Sequence, residues 1–347
     1  MSTAVATAPL LVRACRRERV ERTPVWFMRQ AGRIFPEYRD LRERYGILEI
    51  ARNPELCVEV TTMPVRRLGV DAAVLYADIM LPLDGMGVPF HIRPDVGPIV
   101  ERPVRTRADV DALRIVEAAE ATPYLFAAIR ALRRELPPHV ALVGFAGGPF
   151  TLASYLIEGA PTRDFARTKA MLFRDTQTWA RLMDTLGEVL ARYLAAQVEA
   201  GVDVVQLFDT WAGSLAPRDY ARTVLPWTRR IFGSLGSRSV PRIHFATMSA
   251  GILELMSAAG CDVVGIDWRI ALDDAWSRIG DRGIQGNLDP AALLGGFDVA
   301  ASAARDVLAR AAGRGGHVFN LGHGVLPDTD PDDLARLADL VHRETSR

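Results

Sequence analysis

Short apolar runs rich in β-branched residues recur along the chain. Each is followed by a polar or glycine-rich turn and then by a longer stretch of helical periodicity. The runs fall at residues 24–28, 72–76, 141–145, 202–208, 241–245, 262–266, 282–286 and 317–321. Between them lie amphipathic stretches such as 175–200 and 298–312. Eight continuously apolar strands alternating with helices predict an α/β fold, a closed parallel (β/α)8 barrel of the TIM type. An open doubly wound sheet is the alternative. No strand-to-helix turn carries GxGxxG and no GxxxxGK(S/T) occurs, so its nucleotide-binding versions lose support. No low-complexity linker divides the chain, so one domain is expected over residues 9–347. Residues 1–8 read as a flexible tail, and an N-terminal extension precedes the first strand. Residues 89–104, with several prolines, predict an excursion between the second and third strands, either a hairpin or a lid.

In a barrel of this kind the working groups sit at the carboxyl ends of the strands. The first run ends in Met28-Arg29-Gln30-Ala31-Gly32-Arg33, and Arg39 and Arg42 follow shortly after. A guanidinium grips a carboxylate through paired hydrogen bonds and stays charged at any relevant pH. Arg29 and Arg33, opening directly from an apolar strand with Trp26 and Met28, therefore point to an anion site rather than a solvated helical face. Asp78 closes the second run. It can accept ligand N–H groups or stabilise a developing cation, and the bland alternative is a helix N-cap. Ile79-Met80-Leu81-Pro82 is a poor helix opening, which weakens that alternative. Tyr155 and Thr210 are weaker candidates, because a buried tyrosine or a turn threonine is commonplace. His323 stands between Gly322 and Gly324, which let backbone or ligand come close. His317 reads as core, His244 is ambiguous, and His91, His139 and His342 read as surface residues.

Composition removes several function classes. Lys+Arg and Asp+Glu both total 42, giving no net charge, which argues against nucleic acid as the main partner. Lys169 is the single lysine, and it lies in a stretch that reads as exposed helix, so Schiff-base and pyridoxal-phosphate chemistry lose support. Cys15, Cys57 and Cys261 are widely spaced and form no CxxC pair, the pattern of a reduced, cytoplasmic protein. No apolar run is long enough to span a bilayer, and the start lacks the charge order of a secretory signal. No metal is expected: Ala246 stands where a His-x-Cys pair starting at His244 would need cysteine. There is no GxSxG elbow.

The chain from about Leu11 onward resembles the uroporphyrinogen decarboxylase family of haem biosynthesis. The resemblance rests on Pro24-Val25-Trp26-Phe27-Met28-Arg29-Gln30-Ala31-Gly32-Arg33, Pro36-Glu37-Tyr38-Arg39 and Tyr76-Ala77-Asp78-Ile79. It continues through Gly144-Phe145-Ala146-Gly147-Gly148-Pro149-Phe150-Thr151-Leu152, Gln206-Leu207-Phe208-Asp209-Thr210-Trp211-Ala212-Gly213 and Asn320-Leu321-Gly322-His323-Gly324. It implies a distorted (β/α)8 barrel, a homodimer with facing clefts, and cofactor-free decarboxylation of the four acetates of uroporphyrinogen III to give coproporphyrinogen III. By the same resemblance Arg29, Gln30, Ala31, Gly32 and Arg33 line the substrate site, and Arg42 adds a carboxylate contact. Asp78 would accept the pyrrole N–H groups, while Tyr155, Thr210 and His323 would meet substrate side chains; Asp78 and Arg29 would be catalytic. Two positions depart from the family pattern: Ile34 replaces a common aromatic, and Thr210 replaces a common serine while keeping the hydroxyl. Zinc-dependent methyltransferases of the same superfamily, and an idle tetrapyrrole carrier, are the competing readings.

Overall fold

The computed structural model describes residues 8–236 and 240–347. Its strands are β1 (Ala72–Val74), β2 (Phe90–Arg93), β3 (Gly97–Val100), β4 (Ala141–Gly147), β5 (Val204–Phe208), β6 (Arg242–Phe245), β7 (Val263–Gly265), β8 (Gly283–Gln285) and β9 (His317–Val318). Seven of them pair in parallel in the order β1-β4-β5-β6-β7-β8-β9, a curled sheet with helices outside it. The segment 24–28, expected as a full strand, lies between β9 and β1 but forms only a single bridge, Val25 to Phe319. Phe319 N donates to Pro24 O at 2.9 Å and Asp71 N to Val25 O at 2.8 Å, so the segment still joins the two edges.

Its own amides explain the lost ladder. Pro24 has none to give. Val25 N donates to Asp71 Oδ2 at 2.8 Å, Phe27 N to Gln30 Oε1 at 3.0 Å, and Met28 N to Asn320 Oδ1 at 3.0 Å. Three side chains take the donors that a neighbouring strand would otherwise use, and the backbone N–H groups of residues 25–28 are all still satisfied.

Inward-facing Val143, Val204, Ile243, Phe245, Val263 and Val318 fill the barrel together with Trp26 and Met28. The N-terminal extension folds as the helix Leu10–Cys15 and adds Leu11, Val12, Ala14 and Cys15 to the same cluster, stoppering the amino end of the barrel. Residues 1–7 of the expected tail lie outside the described residues; Ala8 packs on the stopper. Outside, helix Thr176–Ala200 starts at Asp175, whose carboxylate accepts Thr178 N, and stops at Gly201 with φ 118°. It buries Leu182, Leu186, Leu190 and Leu194, one face at i, i+4 spacing, each worth about 2 kcal/mol of transfer free energy.

The excursion at 89–104 is a hairpin, with β2 and β3 antiparallel. Val100 N and Val104 N donate to Gly159 O and Leu156 O at 2.8 and 2.9 Å, which ties it to helix Pro149–Glu158. Two surface expectations change. His342 is bound to the barrel's amino end, its Nε2 2.7 Å from the buried Asp71 Oδ2, while Arg22 Nη2 sits 2.6 Å from Asp71 Oδ1. Lys169 is half-buried because its stem packs down and its Nζ donates to Ser214 O at 3.0 Å.

Candidate active site

The loop after residue 28 turns on Gln30. Its backbone N–H donates to Phe27 O at 3.1 Å. Its buried amide accepts from Phe27 N and donates to Ala72 O at 2.8 Å. Gln30 is therefore spent on shaping the loop, and Ala31 and Gly32 run half-buried beside it. Arg29, just ahead, is held at φ 57°, a left-handed backbone that costs a non-glycine residue about 1 kcal/mol or more. That strain throws the exposed Arg29 side chain across Gly324: a Cβ there would lie 2.4 Å from Arg29 Cδ. Arg33 reaches the hairpin turn, its Nη1 3.5 Å from Asp95 Oδ1. Arg42 is half-buried, donates to Tyr45 O, and its charge reaches Tyr76.

Asp78 stands at the end of the β1 segment. Its Oδ1 accepts Met80 N at 2.8 Å, so it partly plays the capping role considered above, and among the described residues no partner takes its other oxygen. Burial holds its carboxyl above the ordinary range, while the Met80 N–H and the Arg29 charge pull it back down. Tyr155 lies within reach of the same two charges; burial raises its phenol, Asp78 adds to the shift and Arg29 opposes it. His323 is pushed down to about 4 by burial, then by Arg29, so the ring is neutral at neutral pH. The fold thus brings Arg29, Asp78, Tyr155 and His323 to one end of the barrel. Thr210 lies half-buried nearby, its carbonyl accepting from Thr247 N at 3.1 Å and Thr247 Oγ1 at 2.7 Å.

An aromatic line forms the floor. Ring centroids run Phe145 to Phe208 at 5.4 Å, Phe208 to Phe245 at 5.8 Å and Phe245 to His323 at 6.3 Å. Tyr155 stacks on Trp211 at 4.4 Å. The three phenylalanines escaped the sequence reading. Their signal was an aromatic at the mouth-side, inward-facing position of β4, β5 and β6. Asp209 was also missed as a support. Fully buried, its Oδ1 accepts Thr151 N at 2.8 Å and Thr151 Oγ1 at 2.9 Å, which clamps the loop after β4 to that after β5. Burial raises this carboxyl to about 6.

Guanidiniums on one wall, a partly buried carboxylate and a neutral imidazole, set over a floor of edge-to-face phenylalanine rings, define a TIM-type enzyme site suited to a polyacidic ligand. Residues 6–344 match the family model described as Uroporphyrinogen decarboxylase (URO-D). A uroporphyrinogen decarboxylase of Carboxydothermus hydrogenoformans is 48% identical over 336 residues, 96% of each chain. One from Streptomyces coelicolor is 51% identical over 337 residues, 97% of this chain and 94% of its own. The chain belongs to the uroporphyrinogen decarboxylase family. Among solved structures, a methyltransferase from Methanosarcina mazei superposes with TM-score 0.81 at 20% identity, covering 97% of this chain and 99% of its own. A putative vitamin-B12-independent methionine synthase from Listeria monocytogenes gives 0.61 at 11%, covering 98% and 99%. These are likenesses of fold alone. Among the described residues no helix is long and apolar enough to cross a membrane.

Proposed function

We propose that this chain decarboxylates the four acetate side chains of uroporphyrinogen III to methyl groups, releasing coproporphyrinogen III and CO2, as a cytoplasmic homodimer that needs no cofactor. The observation that supports the residue assignment is the convergence of Arg29 and Asp78 at one end of the barrel, with the Arg29 charge felt by Asp78 and both charges felt by Tyr155.

The chemistry follows from charge. A substrate with eight carboxylates needs fixed cations, and Arg29, Arg33 and Arg42 supply them along one wall. Gln30 holds that wall in shape through its two backbone contacts, with Ala31 and Gly32 giving the ring room to approach. Loss of CO2 leaves an electron pair that needs a sink, and a pyrrole protonated at carbon is one. The C–CO2 bond breaks into that cation, a proton then reaches the former acetate carbon, and the ring proton leaves. Each turn therefore consumes one proton and converts one acetate into one methyl. Asp78, whose other oxygen has no partner among the described residues, accepts the pyrrole N–H groups and stabilises the cation while it exists. A neutral His323 donates to a substrate side chain from one ring nitrogen and accepts at the other. Tyr155 and Thr210 offer hydroxyls at the rim.

Anaerobic incubation with uroporphyrinogen III, with chromatographic separation of the hepta- to tetracarboxylate products, tests the reading. Well-folded protein that yields no product would sink it. Light scattering tests the dimer, and a monomer at working concentration would remove that part.

A further inference from the structure

A further cation stands at the same end of the barrel, on a strand end to which no role has been given. Asp267, Trp268 and Arg269 follow β7. The carboxylate of Asp267 is 2% exposed and accepts Met248 N at 2.8 Å, Arg269 N at 3.2 Å and the Arg269 guanidinium through Nη1. The same guanidinium lies 4.3 Å from the centroid of the Trp268 ring. An ion pair on one side and an aromatic face on the other hold a side chain that is still 47% exposed. One nitrogen goes to Asp267, and among the described residues no other hydrogen-bond partner engages the rest of the guanidinium.

Its place in the ring is what matters. The 322–324 loop follows β9, which is flanked in the barrel by β8 and the 24–28 segment. Arg29 arrives from the 24–28 side and Arg269 from beyond β8. Trp268 is pressed on that loop, since a Cβ at Gly322 would lie 2.7 Å from Trp268 N. Arg29 and Arg269 both bear electrostatically on His323, so both charges face the same part of the mouth. The arginine wall described above covers only one side of a ring that carries acids around its whole rim.

We infer that Arg269, positioned by Asp267 and Trp268, is a substrate-specificity residue that takes a carboxylate of the porphyrinogen on the side away from Arg33 and Arg42. This rests on the decarboxylase reading above. A ligand gripped from both sides of His323 is held over the phenylalanine floor, where its acetates can be presented in turn to Asp78. The plainer account of Arg269 is a counter-ion for buried Asp267. That account predicts a loss of stability and no change in substrate affinity.

Steady-state kinetics on Arg269→Gln and Arg269→Lys separate the two accounts, with thermal unfolding as the fold control. Loss of one charge-assisted contact at a half-exposed site should raise KM for uroporphyrinogen about tenfold while kcat stays within about twofold. Arg269→Lys should recover most of the affinity, because it keeps the charge, and added salt should raise KM less in Arg269→Gln than in the wild type. A KM for Arg269→Gln within twofold of an active wild type, or a lowered melting temperature as the only effect, overturns the assignment and leaves the decarboxylase reading standing. A wild type that makes no coproporphyrinogen removes both.

Discussion

Gly324→Ala is a one-methyl change whose consequence can be worked from the structure. The added Cβ would sit 2.4 Å from Arg29 Cδ, 2.8 Å from Cγ and 3.1 Å from Cβ. Carbon atoms in contact prefer about 3.5–4.0 Å, so the overlap exceeds an ångström and falls on the middle of the arginine stem. Arg29 must swing its guanidinium away, and an exposed side chain can do so at little cost to the fold. Gly324 is not among the glycines with positive φ, so alanine is conformationally allowed. The reduced entropy of the unfolded chain offsets part of any strain, by about 0.4–1 kcal/mol. Global stability should therefore change by no more than about 1 kcal/mol. Loss of a charge-assisted carboxylate grip, about 1.5–3 kcal/mol, should lower kcat/KM roughly 10- to 100-fold. The assay pairs anaerobic turnover of uroporphyrinogen with thermal unfolding, and adds Arg29→Ala and the double variant. Because the methyl acts through Arg29, it should have almost no further effect once Arg29 is alanine. If Gly324→Ala costs as much in that background as in the wild type, the steric argument is wrong. A kcat/KM within twofold of wild type in the single variant would refute it equally.

Asp78→Asn keeps the acceptor for Met80 N and removes the charge, so turnover should fall at least about 100-fold while substrate affinity changes much less; unchanged kcat would remove the cation-stabilising role. In the wild type the raised Asp78 carboxyl means that activity requiring its ionised form fails on acidification earlier than an ordinary carboxylate would dictate, a limb that a pH–rate profile reads directly. Gly148→Ala would put a Cβ 2.2 Å from Asp209 Cβ and 2.5 Å from its Cα; backbone has to move, so a loss of about 3 kcal/mol or more is expected in urea unfolding, and a neutral result would contradict the close approach. Asp209, raised to about 6 in the fold, holds a proton that the unfolded chain has already lost above about pH 4. Stability should fall as pH rises between those values, by at most about 3 kcal/mol, and level off above; Asp209→Asn should flatten that slope, and an unchanged slope would assign it to other groups.

Two periods in the chain were enough to determine a barrel. Seven of the expected strands appear near their expected places because an apolar run of that length, bounded by turns, has few other ways to be buried. The Met28 to Arg33 segment and Asp78 were legible for a related reason: the residue that follows a buried strand is committed to one end of the fold. The pairings across the ring depend on which distant side chains meet. Segment 24–28 reads as a strand, yet it loses its ladder to Asp71, Gln30 and Asn320, the last 292 positions from Met28. His342 reads as surface until ring closure sets it against Asp71, 271 positions earlier. Gln30 looks like part of an anion grip, but its amide turns under the loop, a direction no spacing encodes. The partnership of Gly324 with Arg29, the phenylalanine floor, and the seat of Arg269 beside His323 likewise exist only once the sheet has curled. Local periodicity determines what a segment is, because burial of its own face is at stake. Which partner it meets is decided by the closed barrel, where residues far apart in sequence compete for the same donors and the same space.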